Sequence, residues 1–442
     1  MKKGAVLFVL IFILFSLNPV FGQKQYSPLI WPDYWYGNEE FVYHTLPVGG
    51  WNTLGSFSPR SVAMGETFFA SSNGTSGYLN PAFLAVLKEP QFSLSYRYSE
   101  NSYKSSFWPE IIPMREGFNG YREKHSFKRK TDYVDSISLV LPFHDWVLAA
   151  NYFLFQEFNF PRIKGYPDNW LDTIKQSGEM RGLNLALSYR LTTSFSLGIS
   201  ASYVFGDINR TQVFAPVYFI LDDRVSPPGQ GGSIPPYWPW PTTSEDYNLD
   251  MKGLYFNLGA TFEPTEKWKI GLALRPPFSI DIKADIETTF MDMVQYTEKS
   301  SGDFYNKQPL VAVGSVLYRP VNSFELTADI AIWGWGSVSS DYAPSWYYPR
   351  DFKSIIKLNL GAEYKVPLPF PALDELCLRA GYIYDPQPFR FAESYSRDYF
   401  CAGLGLSAGH LEMGFAAKIS LSPRELRRFH SNVLQIGATY RF

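Results

Sequence analysis

From Gln91 to Phe442 apolar and polar residues alternate in runs of about ten, joined by connections that are alternately very short and very long. Period-two alternation sends successive side chains to opposite faces of a strand. Such runs, in hairpin series, predict an all-β chain: a transmembrane antiparallel β-barrel of about fourteen strands. In hydrocarbon every backbone N–H and C=O must pair inside the protein, and a closed sheet achieves this. The expected strands are 91–98, 134–142, 145–155, 180–191, 194–206, 249–263, 267–281, 308–319, 323–334, 353–366, 375–385, 399–409, 410–420 and 430–442. Short connections fall near residues 142–145, 191–194, 264–266, 320–322, 367–374 and 408–410 and are assigned to the periplasm. The long segments 99–133, 156–179, 207–248, 282–307, 335–352, 386–398 and 421–429 are then expected outside.

Parity assigns the faces. In the sixth run Leu254, Phe256, Leu258, Ala260 and Phe262 are expected against lipid, with Tyr255, Asn257, Gly259 and Thr261 inside. The last run places Leu434, Ile436, Ala438, Tyr440 and Phe442 on one face. An apolar alternation closing on an aromatic terminus resembles the signal read by outer-membrane assembly machinery, so Phe442 is the expected contact. Arg97, Arg275, Asp329, Lys357, Asn359, Glu363 and Arg379 point into the lumen. Hairpin register makes Glu363 a neighbour of Arg379, and Asp329 a neighbour of Lys357 and Asn359. These pairs are read as braces of the interior, with the alternative that a cation left over, Arg97 or Arg275, holds a ligand carboxylate. The third run is apolar on both faces, so either a greasy lumen or a packed plug is expected beside Phe153 and Phe155.

The one long apolar run, Val6 to Leu17, follows Lys2 and Lys3. At about a dozen residues it is too short to span a bilayer and reads as the core of a secretory signal over 1–22. The chain is thus expected to enter the periplasm and reach the outer membrane of a bacterial cell. Residues 23–55 form an extension, 56–90 a Gly-rich segment, and 91–442 the barrel. An aromatic share of 18% suits the girdles at the two bilayer interfaces. The formal charge of -2 speaks against nucleic acid as a partner. Five scattered histidines show no metal spacing, and no cofactor is expected. Gly403-x-Gly405-x-x-x-Gly409 lies within a strand and is no nucleotide loop; its glycines are expected to face a crowded lumen. His430, Ser431 and Asn432 are adjacent strand residues that face opposite ways and form no relay, so no enzyme is expected. Cys377 and Cys401 face inward about 20 Å apart along their strands, too far for a disulfide.

Ahead of the barrel, Arg60-Ser61-Val62-Ala63-Met64-Gly65 is followed by Asn80-Pro81-Ala82, among small residues that favour tight packing in a lumen. This stretch resembles the amino-terminal hatch of the FadL-like long-chain fatty acid transporters. Gly253 to Gly259 with Gly271 to Pro277 is similar to its central hairpin, and Leu317-Tyr318-Arg319-Pro320 with Asp329 and Trp333, Leu360 to Tyr364, and Leu378 to Asp385 are similar to its later strands. The resemblance covers roughly 56–442. It implies a fourteen-stranded barrel plugged by the hatch, which carries hydrophobic molecules inward without an energy source. It also implies capture between the third and fourth outer loops and sideways release into the membrane. The third loop supplies Phe214, Tyr218, Phe219 and Leu221, the fourth Phe290, Met291, Met293 and Tyr296, apolar groups of the kind that mark a binding surface. The third strand lacks a glycine, which argues against a kinked lateral opening there.

Basic residues Arg122, Lys124, Lys128, Arg129, Lys130, Arg424, Arg427 and Arg428 fall on expected outer loops, where lipopolysaccharide phosphates are candidate partners and solvated charge is the plainer account. The aromatic-rich residues 24–54 and the Pro-rich stretch 235–241 motivate a second reading. In it the chain is a PorV-like barrel that serves a periplasmic or secretion partner.

Overall fold

The computed structural model describes residues 58–71, 73–107, 123–158, 160–165, 170–216, 242–291, 295–337, 353–370, 372–386, 396–421 and 428–442. The expected signal and the extension 24–54 lie outside them. All described residues belong to one compact unit.

The strands are β1 (Gln91–Phe107), β2 (Glu123–Phe143), β3 (Trp146–Glu157), β4 (Phe160–Gly165), β5 (Trp170–Arg190), β6 (Phe195–Pro216), β7 (Thr242–Thr265), β8 (Trp268–Arg275), β9 (Phe278–Met291), β10 (Tyr296–Gln308), β11 (Val311–Val321), β12 (Phe324–Trp333), β13 (Ile355–Phe370), β14 (Leu373–Pro386), β15 (Ser396–Ala408), β16 (Leu411–Ser420) and β17 (Arg428–Arg441). They form one antiparallel sheet of 17 strands, closed by pairing of β1 with β17. Three staves are each interrupted once, giving β3 and β4, β8 and β9, and β10 and β11. The barrel therefore has fourteen staves. Two of the interruptions carry proline, Pro276-Pro277 and Pro309, which has no N–H for the ladder.

Each expected strand is present, and most are longer at the outer end. Residues 282–307, expected as a loop, are largely the β9–β10 hairpin, and much of 99–133 and 207–248 is also strand. The loop assignment failed because outer hairpins keep pairing beyond the membrane, where both faces are wet and the apolar alternation stops. Lys124, Lys128, Arg129 and Lys130 accordingly lie in β2 and Arg428 in β17.

Burial follows the expected parity. Leu254, Phe256 and Phe262 are exposed toward lipid, while Tyr255, Asn257 and Thr261 are buried. At the short-turn end, Trp146 lies 4.3 Å from Tyr189 and Trp268 stacks on Tyr318 at 4.3 Å, cross-strand pairs suited to an interfacial girdle.

The segment before β1 folds into the lumen as α1 (Pro59–Ala63), η1 (Phe68–Ala70), α2 (Ser76–Leu79) and η2 (Pro81–Val86). Sequence dictates its starts and stops. Ser58 caps α1 by accepting from the Ser61 N–H at 3.2 Å, and Pro59 occupies the first turn, where no N–H is needed. Asn80 and Pro81 repeat the device for η2, with Asn80 Oδ1 accepting from the Ala82 N–H at 3.2 Å.

Candidate functional site

Two hatch turns rest on cross-strand glycine pairs in the wall. Gly65 adopts φ +69°, a conformation glycine tolerates, and is followed by Glu66 at +60°. The turn lies over Gly361 and Gly381, which face each other between β13 and β14. A Cβ on Gly381 would stand 2.1 Å from Gly65 N, and one on Gly361 2.4 Å from Met64 O, so the backbones touch only because both are glycine. On the opposite wall, Gly198 and Gly259 face each other between β6 and β7 under the Asn80-Pro81-Ala82 turn. There a Cβ would lie 2.3 Å from Ala82 N and 2.1 Å from Asn80 Oδ1. Gly403 and Gly405 also face a crowded lumen, against Ala63 and the Arg379 guanidinium, whereas Gly409 sits at a turn where a Cβ would meet nothing within 4 Å.

Polar contacts fasten the same segment. Asn257 Nδ2 donates to Tyr78 O at 2.9 Å, the Phe68 N–H to Asp329 Oδ2 at 2.8 Å, and Ser188 Oγ to Ala82 O at 3.1 Å. Arg60 reaches Glu325 at 2.7 Å and Glu363 at 2.9 Å. From there the ion pairs continue: Arg319 to Glu325 at 2.7 Å, Arg379 to Glu363 at 2.6 Å and to Glu412 at 3.3 Å, and Arg441 to Glu412 at 2.6 Å. Alternating Arg and Glu thus run across the periplasmic half from β11 to β17, with the hatch residue inside the series. Burial opposes the charge of Arg60, but Glu363 and Glu325 hold its guanidinium well above its ordinary pKa. Burial would likewise raise the Glu66 carboxyl, yet Lys418 at 2.7 Å holds it below its ordinary value.

Glu363 and Arg379 are neighbours as expected. The Asp329–Lys357 pair is not formed: Asp329 faces Asn359, and Lys357 reaches Asp385 at 2.5 Å. Among the expected ligand cations, Arg97 meets Asp135 at 3.0 Å. Arg275 is buried with its guanidinium 5.7 Å from the Tyr255 ring, 5.5 Å from Phe278 and 5.3 Å from Trp333. The doubly apolar third run is explained by the plug. Phe153 stacks on Tyr78 of the hatch at 4.5 Å, Phe155 lies 6.0 Å from Tyr255, and Leu84 and Leu87 pack with Val140, Val147 and Ala149. Cys377 and Cys401 are free and buried; Cys401 stands opposite Gly381, four residues along from Cys377 and so about 13 Å by strand rise.

Of the outer-loop residues, Tyr218, Phe219, Leu221 and Met293 lie outside the described residues. Phe214, Phe290, Met291 and Tyr296 are in strands β6, β9 and β10 rather than in loops. Register nevertheless brings several together: Phe214 faces Thr243, Thr243 faces Phe290, and Phe290 faces Tyr296, one rung across β6, β7, β9 and β10. The Phe290 and Tyr296 rings stack at 4.5 Å.

The wall has a seam that the sequence did not suggest. The β2–β3 ladder runs from Phe143↔Trp146 to Ser136↔Phe153 and stops, while β2 continues along β1 as far as Glu123. Two irregularities cause the parting. Asp135 is extra in β2 opposite Ser95 and Tyr96, and Phe155 is extra in β3 opposite β5. Bulges of this kind bend a strand without glycine, so the lack of glycine in the third strand does not prevent an opening. Side chains lace the gap. Arg181 of β5 donates to Val134 O of β2 at 2.6 Å and pairs with Glu179 at 2.8 Å, and its guanidinium lies 5.8 Å from the rings of Tyr133 and Tyr152. Glu157 of β3 accepts from Thr131 Oγ1 and Tyr133 Oη of β2, each at 3.3 Å. Parity could not find this site, because a single inserted residue reverses the faces on either side of it.

Solved structures share this architecture. A toluene transporter of Ralstonia pickettii, TbuX, is 16% identical, with 89% of this chain and 100% of that chain covered at a TM-score of 0.59. A FadL homologue of Pseudomonas aeruginosa is 17% identical, with 88% and 98% covered at 0.61. The toluene transporter TodX of Pseudomonas putida is 16% identical, with 87% and 98% covered at 0.59. Identities this low speak for the fold alone. No curated protein sequence matches the chain. The sequence model of the family described as outer membrane protein transport protein (OMPP1/FadL/TodX), however, matches residues 55–396. With that match over most of its length, the chain belongs to the OMPP1/FadL/TodX family of outer membrane transport proteins, which are channels and not enzymes.

Proposed function

We propose that the protein mediates passive uptake of long-chain fatty acids or similar hydrophobic molecules. They are captured at the outer ends of the strands around Phe214, Phe290 and Tyr296, and are released sideways from a hatch-plugged barrel. The seam between β2 and β3 carries this reading. The hatch packs against walls on opposite sides of the lumen, whereas the seam is held by side chains instead of a backbone ladder. An apolar molecule leaving there enters hydrocarbon and never crosses the periplasmic half of the plug. The toluene transporters and the FadL homologue of the same fold are consistent with such cargo.

Proteoliposomes containing the purified barrel should take up a fluorescent long-chain fatty acid faster than protein-free vesicles; equal rates would count against the proposal. The PorV-like reading rests on residues 24–54 and 235–241, which lie outside the described residues, and no observed contact favours it.

A further inference from the structure

This inference deepens the proposed function and rests on it, because it names a head group for the cargo. A cavity of about 30 Å³ lies in the lumen between the Gly65-Glu66 turn and the wall strands β11 to β16. It has room for one or two water-sized groups.

The cations that line it are engaged. Lys357 Nζ is 2.5 Å from Asp385 and 4.9 Å from the centre of the Trp333 ring. Lys418 Nζ is 2.7 Å from Glu66 and 4.9 Å from the Tyr399 ring. A ligand carboxylate would have to draw a lysine from its partner and leave a buried acid uncompensated.

The unfilled capacity of the wall is different. Asp329 Oδ1 and Asn359 Oδ1, both acceptors, and Trp333 Nε1, a donor, are buried atoms without a hydrogen-bond partner. Asp329 is 3% exposed and Trp333 1%. The other Asp329 oxygen accepts from the Phe68 N–H, and the Asn359 amide nitrogen donates to Glu66 O at 3.3 Å. Ser315 faces Asp329 from β11 and sets its hydroxyl beside that carboxylate. A carboxylate only accepts and an ammonium only donates, whereas a hydroxyl does both.

We propose that this cavity is a head-group subsite for a hydrophobic alcohol. Its hydroxyl donates to Asp329 or Asn359 and accepts from Trp333, and the adjoining carbon lies against Phe68, Val313 and Ile383.

Native mass spectrometry of the full chain with equal amounts of 1-dodecanol, dodecylamine and dodecanoate tests the ranking. The alcohol should be retained at least about tenfold better than either ion, the scale of one hydrogen bond to a charged group. Asp329→Asn keeps an acceptor for Phe68 and presents an amide donor to the cavity, so it should weaken the alcohol several-fold and favour dodecanoate. Trp333→Phe keeps a ring beside Lys357 and should weaken the alcohol several-fold. Should either variant fail to fold, the wild-type ranking still decides. A ranking led by either ion, or equal retention of all three, overturns the subsite and leaves the conduit standing, the cavity then holding water only. Retention of none overturns both.

Discussion

Arg60 shows how much a single hatch residue carries. It stands between Glu325 and Glu363, both nearly fully buried, and also donates to Ala70 O at 3.1 Å. Removing it takes charge-assisted hydrogen bonds from both buried acids, at a cost of about 3 kcal/mol. Arg319 and Arg379 remain on the two acids, so the loss should fall on the hatch and spare the barrel. Arg60→Ala is expected to speed hydrogen exchange over residues 58–71 while the barrel keeps its heat-modifiable mobility on gels. Unchanged exchange would show that the remaining contacts hold the hatch without Arg60. Sequence parity found Glu363 beside Arg379 because a hairpin fixes local register. It could not find Arg60 beside Glu363, because no periodicity links residues that far apart in the chain.

Among the elements, β2 and β3 are the pair where the ladder gives way to side chains. Arg181 makes the contact that bridges from β5 to the backbone of β2, a charge-assisted hydrogen bond worth roughly 2 kcal/mol. Arg181→Ala should therefore make the open seam about thirtyfold more populated and raise the rate of fatty-acid entry into proteoliposomes. A slower rate would place the exit elsewhere. The strands were legible because lipid imposes strict alternation on one face, as Leu254, Phe256 and Phe262 show. Their outer ends were not, since both faces of β9 and β10 near Tyr296 meet water. The seam was hidden for a third reason: Asp135 and Phe155 are single insertions, invisible to any count of period two. Lys357 was misassigned because its partner Asp385 lies toward the outer end of β14 and not directly across.

For the whole molecule, the hatch segment fills part of a lumen whose polar wall would otherwise line an aqueous pore. Fourteen staves enclose a wide lumen, and its inner wall is polar, with Ser200, Asn257, Thr261 and Thr327 among its buried residues. Deleting residues 58–90 should therefore convert a nearly silent protein into one with clear single-channel conductance in planar bilayers. If conductance stays low, another part of the chain blocks the lumen. The closure of the ring bears on how this plug arrives. Fourteen rungs join β1, which leaves the hatch, to β17, which ends the chain, beginning with Gln91 opposite Arg441. Contacts of such sequence separation form late, since a very long loop must close first. Pro59 of the hatch lies against Gly414 and Gly437, on the strands that complete the ring. In the timing of assembly the hatch thus waits for the carboxyl terminus, and the barrel is finished around its plug.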